Sequence, residues 1–333
     1  MKRTTHRRCA LVSTAFLLAI VPVPGGATEA EAGGAPAPPA ETGVQGRVVP
    51  LTPEVREKLD ALRREVEQHP DDAVARARYG RLLVATGQVE RGMELLVEAL
   101  GKAPDDPQVR LLYAKGLWKA GDTEKAVDEA LRVARSPLAS PDQVAEAYFV
   151  AGDARIHVKD VEKGEEYLKK ALAAKPDHPG ALLNLGMLYV KTERPQEGYE
   201  LIQRAGKAAP DNPRILSTVA MAHEWQGKLD AALETWIRVS ELVPGRADVL
   251  RRVAQTHFAL GHYEDAARYF AEAIEAAPVD GSLHLAYATT LLRLERLDEA
   301  EKEARKAADL GVNAEPILGA IAARRGSEPA GPH

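Results

Sequence analysis

Nine histidines are the chain's best prospect for chemistry, and two of them, His223 and His257, stand 34 residues apart. Imidazoles stacked on neighbouring helices can hold a metal ion, but such a site needs a third ligand and usually a fourth fixed beside them. No carboxylate or further histidine shares their spacing. His223-Glu224 lacks the second histidine, four residues after the first, that a zinc-protease helix requires. Asp105-Asp106 and Asp211-Asn212 look like calcium-loop fragments, yet each lies just before a proline that opens a helix, so both read as helix caps. No glycine-rich phosphate loop follows a strand pattern, and no serine sits in a nucleophile elbow. The residues therefore point to a protein that is not an enzyme and has no cofactor and no metal. One alternative stays open, an unrecognised metal or catalytic site built on His223 and His257.

The spacing of those two histidines is the period of the whole chain. Gly80, Ala114, Gly152, Gly186, Ala220, Ala254 and Ala288 form one series of small residues, and Gly92, Ala126, Gly164, Gly198, Ala232, Ala266 and Ala300 form a second. Every step is 34 residues except one of 38, which is the same step in both series, so a single four-residue insertion explains it. Prolines test the register more strictly because they are rarer. Pro104, Pro176, Pro210, Pro244 and Pro278 share one phase. Pro107, Pro179 and Pro213, preceded by Asp106, His178 and Asn212, mark helix starts, where a proline loses nothing and a polar cap accepts a free backbone N–H. Gly87, Gly121, Gly227 and Gly261 break each unit at its middle. The unit is helix, tight turn, helix, loop, and such self-similarity is the mark of a stacked repeat array.

In its pattern the unit resembles the tetratricopeptide repeat. The best match is Leu182, Leu185-Gly186, Tyr189, Gly198, Ile202, Ala205 and Pro210, followed by Leu250, Val253-Ala254, Gly261, Ala266, Phe270, Ala273 and Pro278. Arg155, His223 and His257 depart from it, standing where the family prefers Tyr or Leu. The resemblance implies an all-α, right-handed α-solenoid of seven helix-turn-helix repeats with N- and C-terminal capping helices. The repeats fall at 73–106, 107–144 with the insertion, 145–178, 179–212, 213–246, 247–280 and 281–314. Val55, Leu59, Leu62 and Val66 share one face of a capping helix in 51–72, and Ile317, Leu318 and Ile321 mark a closing helix in 315–333. Ser136–Pro141, with two prolines and two serines, reads as a longer loop after the second unit.

The resemblance also implies a concave groove lined by the first helix of each unit. Carried over residue by residue, its candidates are Leu111, Lys115, Trp118 and Lys119 in the second unit, and Phe149, Asp153, Ile156 and His157 in the third. The fourth gives Leu183, Met187, Val190 and Lys191, with Asn184 beside them, the fifth Ser217, Met221, Glu224 and Trp225, and the sixth Arg251, Gln255 and Phe258. Such a trough of aromatics and methionines suits an extended peptide or an amphipathic helix of a partner protein. Two specialised modes of the family do not transfer. A carboxylate clamp would need Lys and Asn at matched positions of three units, where Arg81 and Lys115 are followed by Phe149 and Asp153; an asparagine ladder would need more than Asn184.

The first fifty residues have a different composition. Lys2, Arg3, Arg7 and Arg8 precede an apolar run from Cys9 to Val23, with small residues at Gly25-Gly26-Ala27, the layout of a secretory signal peptide over 1–27. The run 9–23 is the alternative inner-membrane anchor, and only in that case is membrane contact expected. Residues 28–50, rich in Ala, Pro and Gly, have almost nothing to bury and read as a disordered linker. Cleavage would remove the only cysteine and four basic residues, moving the net charge from −5 to −9. That excludes disulfides, and an acidic chain argues against nucleic acid as partner. The sequence reading is thus a periplasmic scaffold or adaptor for a protein of the bacterial envelope, with a self-associating structural module as the alternative.

Overall fold

The structure, a computed structural model, describes residues 52–327. The signal segment and the linker expected before residue 51 lie outside the described residues. Within them every regular element is a helix. A single helix, α1 (Pro53–Gln68), precedes seven helical hairpins. These are α2 (Ala73–Ala85) with α3 (Val89–Lys102), α4 (Pro107–Ala120) with α5 (Thr123–Ala134), and α6 (Pro141–His157) with α7 (Val161–Ala174). They continue with α8 (Pro179–Lys191) and α9 (Pro195–Ala208), then α10 (Pro213–Trp225) and α11 (Leu229–Leu242). The last two are α12 (Ala247–Ala259) with α13 (Tyr263–Ala276) and α14 (Gly281–Arg293) with α15 (Leu297–Asp309), and α16 (Glu315–Ser327) closes the chain.

Local chemistry fixes the start of every first helix but α12, whose N-cap residue Arg246 makes no side-chain cap. The side chains of Asp72, Asp106, Ser140, His178, Asn212 and Asp280 each accept a hydrogen bond from a free backbone N–H of the helix that follows. The mid-unit turn is equally regular. Its residue is left-handed in all seven hairpins: Gly87, Gly121, Gly227 and Gly261, and also Lys159, Glu193 and Glu295 at φ of 64°, 61° and 57°. The next residue donates back to the carbonyl five positions earlier, as Gln88 does to Leu83 and Arg296 to Leu291, which closes the helix in a Schellman-type motif.

Small residues set how closely the two helices of a hairpin meet. A Cβ on Gly186 would lie 2.8 Å from the carbonyl oxygen of Gly198, and one on Gly80 would lie 2.7 Å from that of Gly92. Each hairpin then packs on the next, so the core is a chain of small clusters, such as Leu182, Ile202, Ala205, Ile215 and Val219 between the fourth and fifth units. Leu59 of α1 covers Leu83 and Leu95 at one end, and Ile321 of α16 covers Leu291 and Ala300 at the other.

The four-residue insertion is only partly the longer loop read in the sequence. The connection after α5, 135–140, has six residues against four between the other units, while α6 is lengthened to 17 residues, against 13 or 14 for the other first helices. The reason is local: Ser140 and Gln143 form a reciprocal capping box with Pro141 at the first helical turn, so the second proline starts a helix where a loop was expected.

Candidate functional site

First helices of successive units touch one another directly, α2 with α4, α4 with α6 and α6 with α8, which makes them the inner layer of the stack. Two clefts lie on that layer. One, of about 230 Å³, is walled by Arg81, Lys115, Trp118, Lys119, Phe149 and Asp153. The other, of about 510 Å³, runs past Leu111, Lys115, Glu146, Phe149 and Leu183 to Arg214 and Ile215. They share Lys115, Glu146 and Phe149 in their walls and so form one trough from α2 to α10.

Two carboxylates of α6 hold the trough's walls together. Asp153 accepts from Trp118 Nε1 at 3.1 Å through one oxygen and from Asn184 Nδ2 at 2.7 Å through the other, so a single side chain ties three consecutive units. Seven residues earlier, two turns up the same face, Glu146 meets Lys115 Nζ at 2.6 Å and His178 Nε2 at 2.8 Å. His178 Nδ1 accepts the Ala181 N–H at 3.1 Å as helix cap, so its proton sits on Nε2 and is donated to Glu146. Burial alone would push the Glu146 carboxyl up, but the His178 hydrogen bond and the Lys115 ammonium outweigh it and hold the carboxyl at about 2. Glu224 repeats the device further along, accepting from the buried Trp236 at 2.8 Å.

The trough gathers eight of the residues singled out from the repeat pattern: Leu111, Lys115, Trp118, Lys119, Phe149, Asp153, Leu183 and Asn184. Among these, Leu111 and Leu183 are only 4% and 5% exposed and offer little more than an edge. The amide of Asn184 is already given to Asp153. Ile156, Met187, Met221 and Phe258 lie elsewhere, half-buried against the core clusters of their own units, with Phe258 edge-on to Tyr263. Trp225 remains open at 48% exposure. Arg251 lines a separate shallow site with Arg246, Asp248 and Asp280. Glu146 and Arg214 line the trough without having been singled out in sequence, although they occupy the second position of their units and the repeat register points to them.

The two in-phase histidines face inward. His257 is 8% exposed and stacks on Tyr269, and the Nδ1 atoms of both His223 and His257 are buried without a hydrogen-bond partner. Burial, first, pushes both imidazoles below the ordinary value and favours the neutral form. No group of three or more His, Cys, Asp or Glu among the described residues is placed to hold a metal ion.

Inner and outer helix layers with a lined trough define an α-solenoid of the interaction class. Three family models described as tetratricopeptide repeat match residues 59–116 and 156–222, 211–278, and 111–179 and 252–314, which together run without a break from 59 to 314. The chain belongs to the tetratricopeptide repeat family, and by that class it is a protein-interaction scaffold. Among solved structures it is similar to the APC/C hetero-tetramer Cut9-Hcn1, with 16% identity and a TM-score of 0.55 over 71% of this chain and 46% of that one. It is also similar to MamA AMB-1, with 27% identity and a TM-score of 0.45 over 49% of this chain and 97% of that one. No curated protein matches the chain significantly.

Proposed function

We propose that the protein is a non-enzymatic scaffold of the bacterial envelope that holds an extended segment of a partner protein in the trough between α2 and α10. The observation that carries this reading is the trough itself. Its walls come from the first helices of five consecutive units, and its half-buried aromatic surfaces, Trp118 and Phe149, stand beside polar groups held by Glu146 and Asp153. Apolar floor with fixed polar edges is what an extended peptide needs, since side chains fill the floor while the edges set register. Export is supported by Lys2, Arg3, Arg7 and Arg8 ahead of the apolar run 9–23.

Photo-crosslinking in envelope extracts tests the groove. A benzophenone residue at Lys119 should capture a partner, whereas one at Val97, exposed on α3, should not. Equal capture at both positions would refute the trough. N-terminal sequencing of the purified protein tests export, with a start between residues 26 and 34 expected.

A further inference from the structure

Charge is divided unequally between the two helix layers. The first helices of the seven hairpins carry twelve Lys and Arg against five Asp and Glu, a net of +7. The second helices carry fourteen against twenty-three, a net of −9. A chain with an overall charge of −5 thus presents a basic inner layer and an acidic outer one.

Part of the inner basic charge is neutralised by the outer helices, Arg76 by Glu98, Arg110 by Glu129 and Arg155 by Glu124, so the groups left unpaired decide what the trough can attract. All five inner acids are engaged by the protein itself: Asp142 with Lys175 and Asp248 with Arg246, besides Glu146, Asp153 and Glu224 described above. The side-chain cations of Arg81, Lys119 and Arg214 have no such partner among the described residues. Unpaired Lys and Arg are ordinary on a protein surface. These three differ because they line a trough in which every carboxylate is already taken, Arg81 and Lys119 at one end and Arg214 at the other. What the trough lacks is negative charge at its two ends.

We propose that the trough binds an acidic peptide segment, whose Asp or Glu side chains meet Arg81, Lys119 and Arg214 while its apolar side chains settle on Trp118 and Phe149. The proposal rests on the trough being the partner surface. A peptide fits better than a nucleic-acid strand. Charges are screened beyond about 8 Å at physiological salt, so a short segment confined to the trough meets the inner cations, whereas a longer polyanion also runs against the acidic outer layer. The three cations sit at the trough's edges, where complementary charge acts on encounter rate and register and is weakened by salt.

Fluorescence anisotropy with the full-length protein decides it. The probes are labelled peptides sharing one apolar frame, with the polar positions filled by Glu, Gln or Lys, and a short single-stranded oligonucleotide. The Glu peptide should bind about tenfold more tightly than the Gln peptide at low salt, with the advantage shrinking as salt rises. The combined Arg81→Gln, Lys119→Gln and Arg214→Gln variant should erase that preference, while Lys207→Gln on α9 should keep it. The melting temperature of each variant separates lost charge from lost fold. Equal binding of the Glu and Gln peptides, or an unchanged preference in the triple variant, overturns the acidic assignment and leaves the trough reading standing. Tighter binding of the oligonucleotide overturns it in favour of a polyanion site. A preference that depends on protein concentration and tracks self-association overturns it in favour of a second copy. Failure of every peptide, together with no capture at Lys119, removes the trough reading itself.

Discussion

Asn184 donates to Asp153 at 2.7 Å across 31 residues of sequence, and this bond joins the third repeat to the fourth on the inner layer. The other oxygen of Asp153 takes the Trp118 N–H from the second repeat. A side chain that repeat logic offers to a partner is therefore a strut of the trough. Struts of this kind fix the spacing of the walls before anything binds, which lowers the ordering cost of binding.

Removing the strut should cost stability. Asp153→Ala leaves two half-buried donors without their acceptor, and a loss of about 1–3 kcal/mol is expected. Asp153→Asn keeps one acceptor and should recover part of it. Urea denaturation of the two variants checks the order; equal stability of Asp153→Ala and the parent would show that the bonds carry no weight.

Glycine at the helix crossing should resist even a methyl group. In most helix interiors Gly→Ala gains about 0.5–1 kcal/mol, and Gly101, with nothing near its would-be Cβ, should follow that rule. Gly186→Ala should reverse the sign, because the new Cβ would meet the Gly198 carbonyl at 2.8 Å and Ile202 Cγ1 at 2.8 Å. Thermal melts of both variants give the comparison, and a gain in both would mean that the hairpin can open without cost.

Left-handed turns without glycine are the opposite opportunity. Lys159 and Glu193 occupy the turn position at positive φ where four other repeats have Gly. Lys159→Gly and Glu193→Gly should each stabilise by about 0.5–1 kcal/mol, and Gly87→Ala should destabilise by a similar amount.

Acid should weaken the protein in two stages. His223 and His257 titrate below their ordinary 6.5 because burial disfavours the charged ring. As pH falls past 6.5, the unfolded chain takes up protons that the folded one refuses, so stability is full above that value and declines beneath it. Glu146, held at about 2 against an ordinary 4.5, adds stability that is present above 4.5 and lost as pH falls toward 2. Melting temperature against pH should show both windows. A double His223→Leu and His257→Leu variant, matching Leu83, Leu117 and Leu291 at the same phase, should lose the upper one. An unchanged profile would place those rings in water.

Much of the fold was legible because its determinants are local and periodic. Caps at Asp106, His178 and Asn212 and turns at Gly87, Gly121, Gly227 and Gly261 recur in the sequence and stand where the register puts them. The lengthened α6 was legible too, through Ser140, Pro141 and Gln143, but two prolines so close together read as loop until the capping box is recognised. The trough was only half legible. Register locates Leu111, Phe149 and Leu183, yet it cannot say that Phe258 is covered by Tyr263 while Trp225 is open. Nor can it pair Asp153 with residues 31 and 35 positions away, since which acid meets which donor depends on the rise and rotation between units.

Oxidative footprinting of the protein with and without a crosslink-identified partner peptide tests the trough most directly, because it reads the solvent exposure of individual side chains. Trp118 and Phe149 should lose reactivity on binding, while Tyr167 on α7 and Tyr199 on α9 keep theirs. Protection of Tyr167 and Tyr199 with Trp118 and Phe149 unchanged would place the partner on the outer layer and contradict the trough as the binding surface.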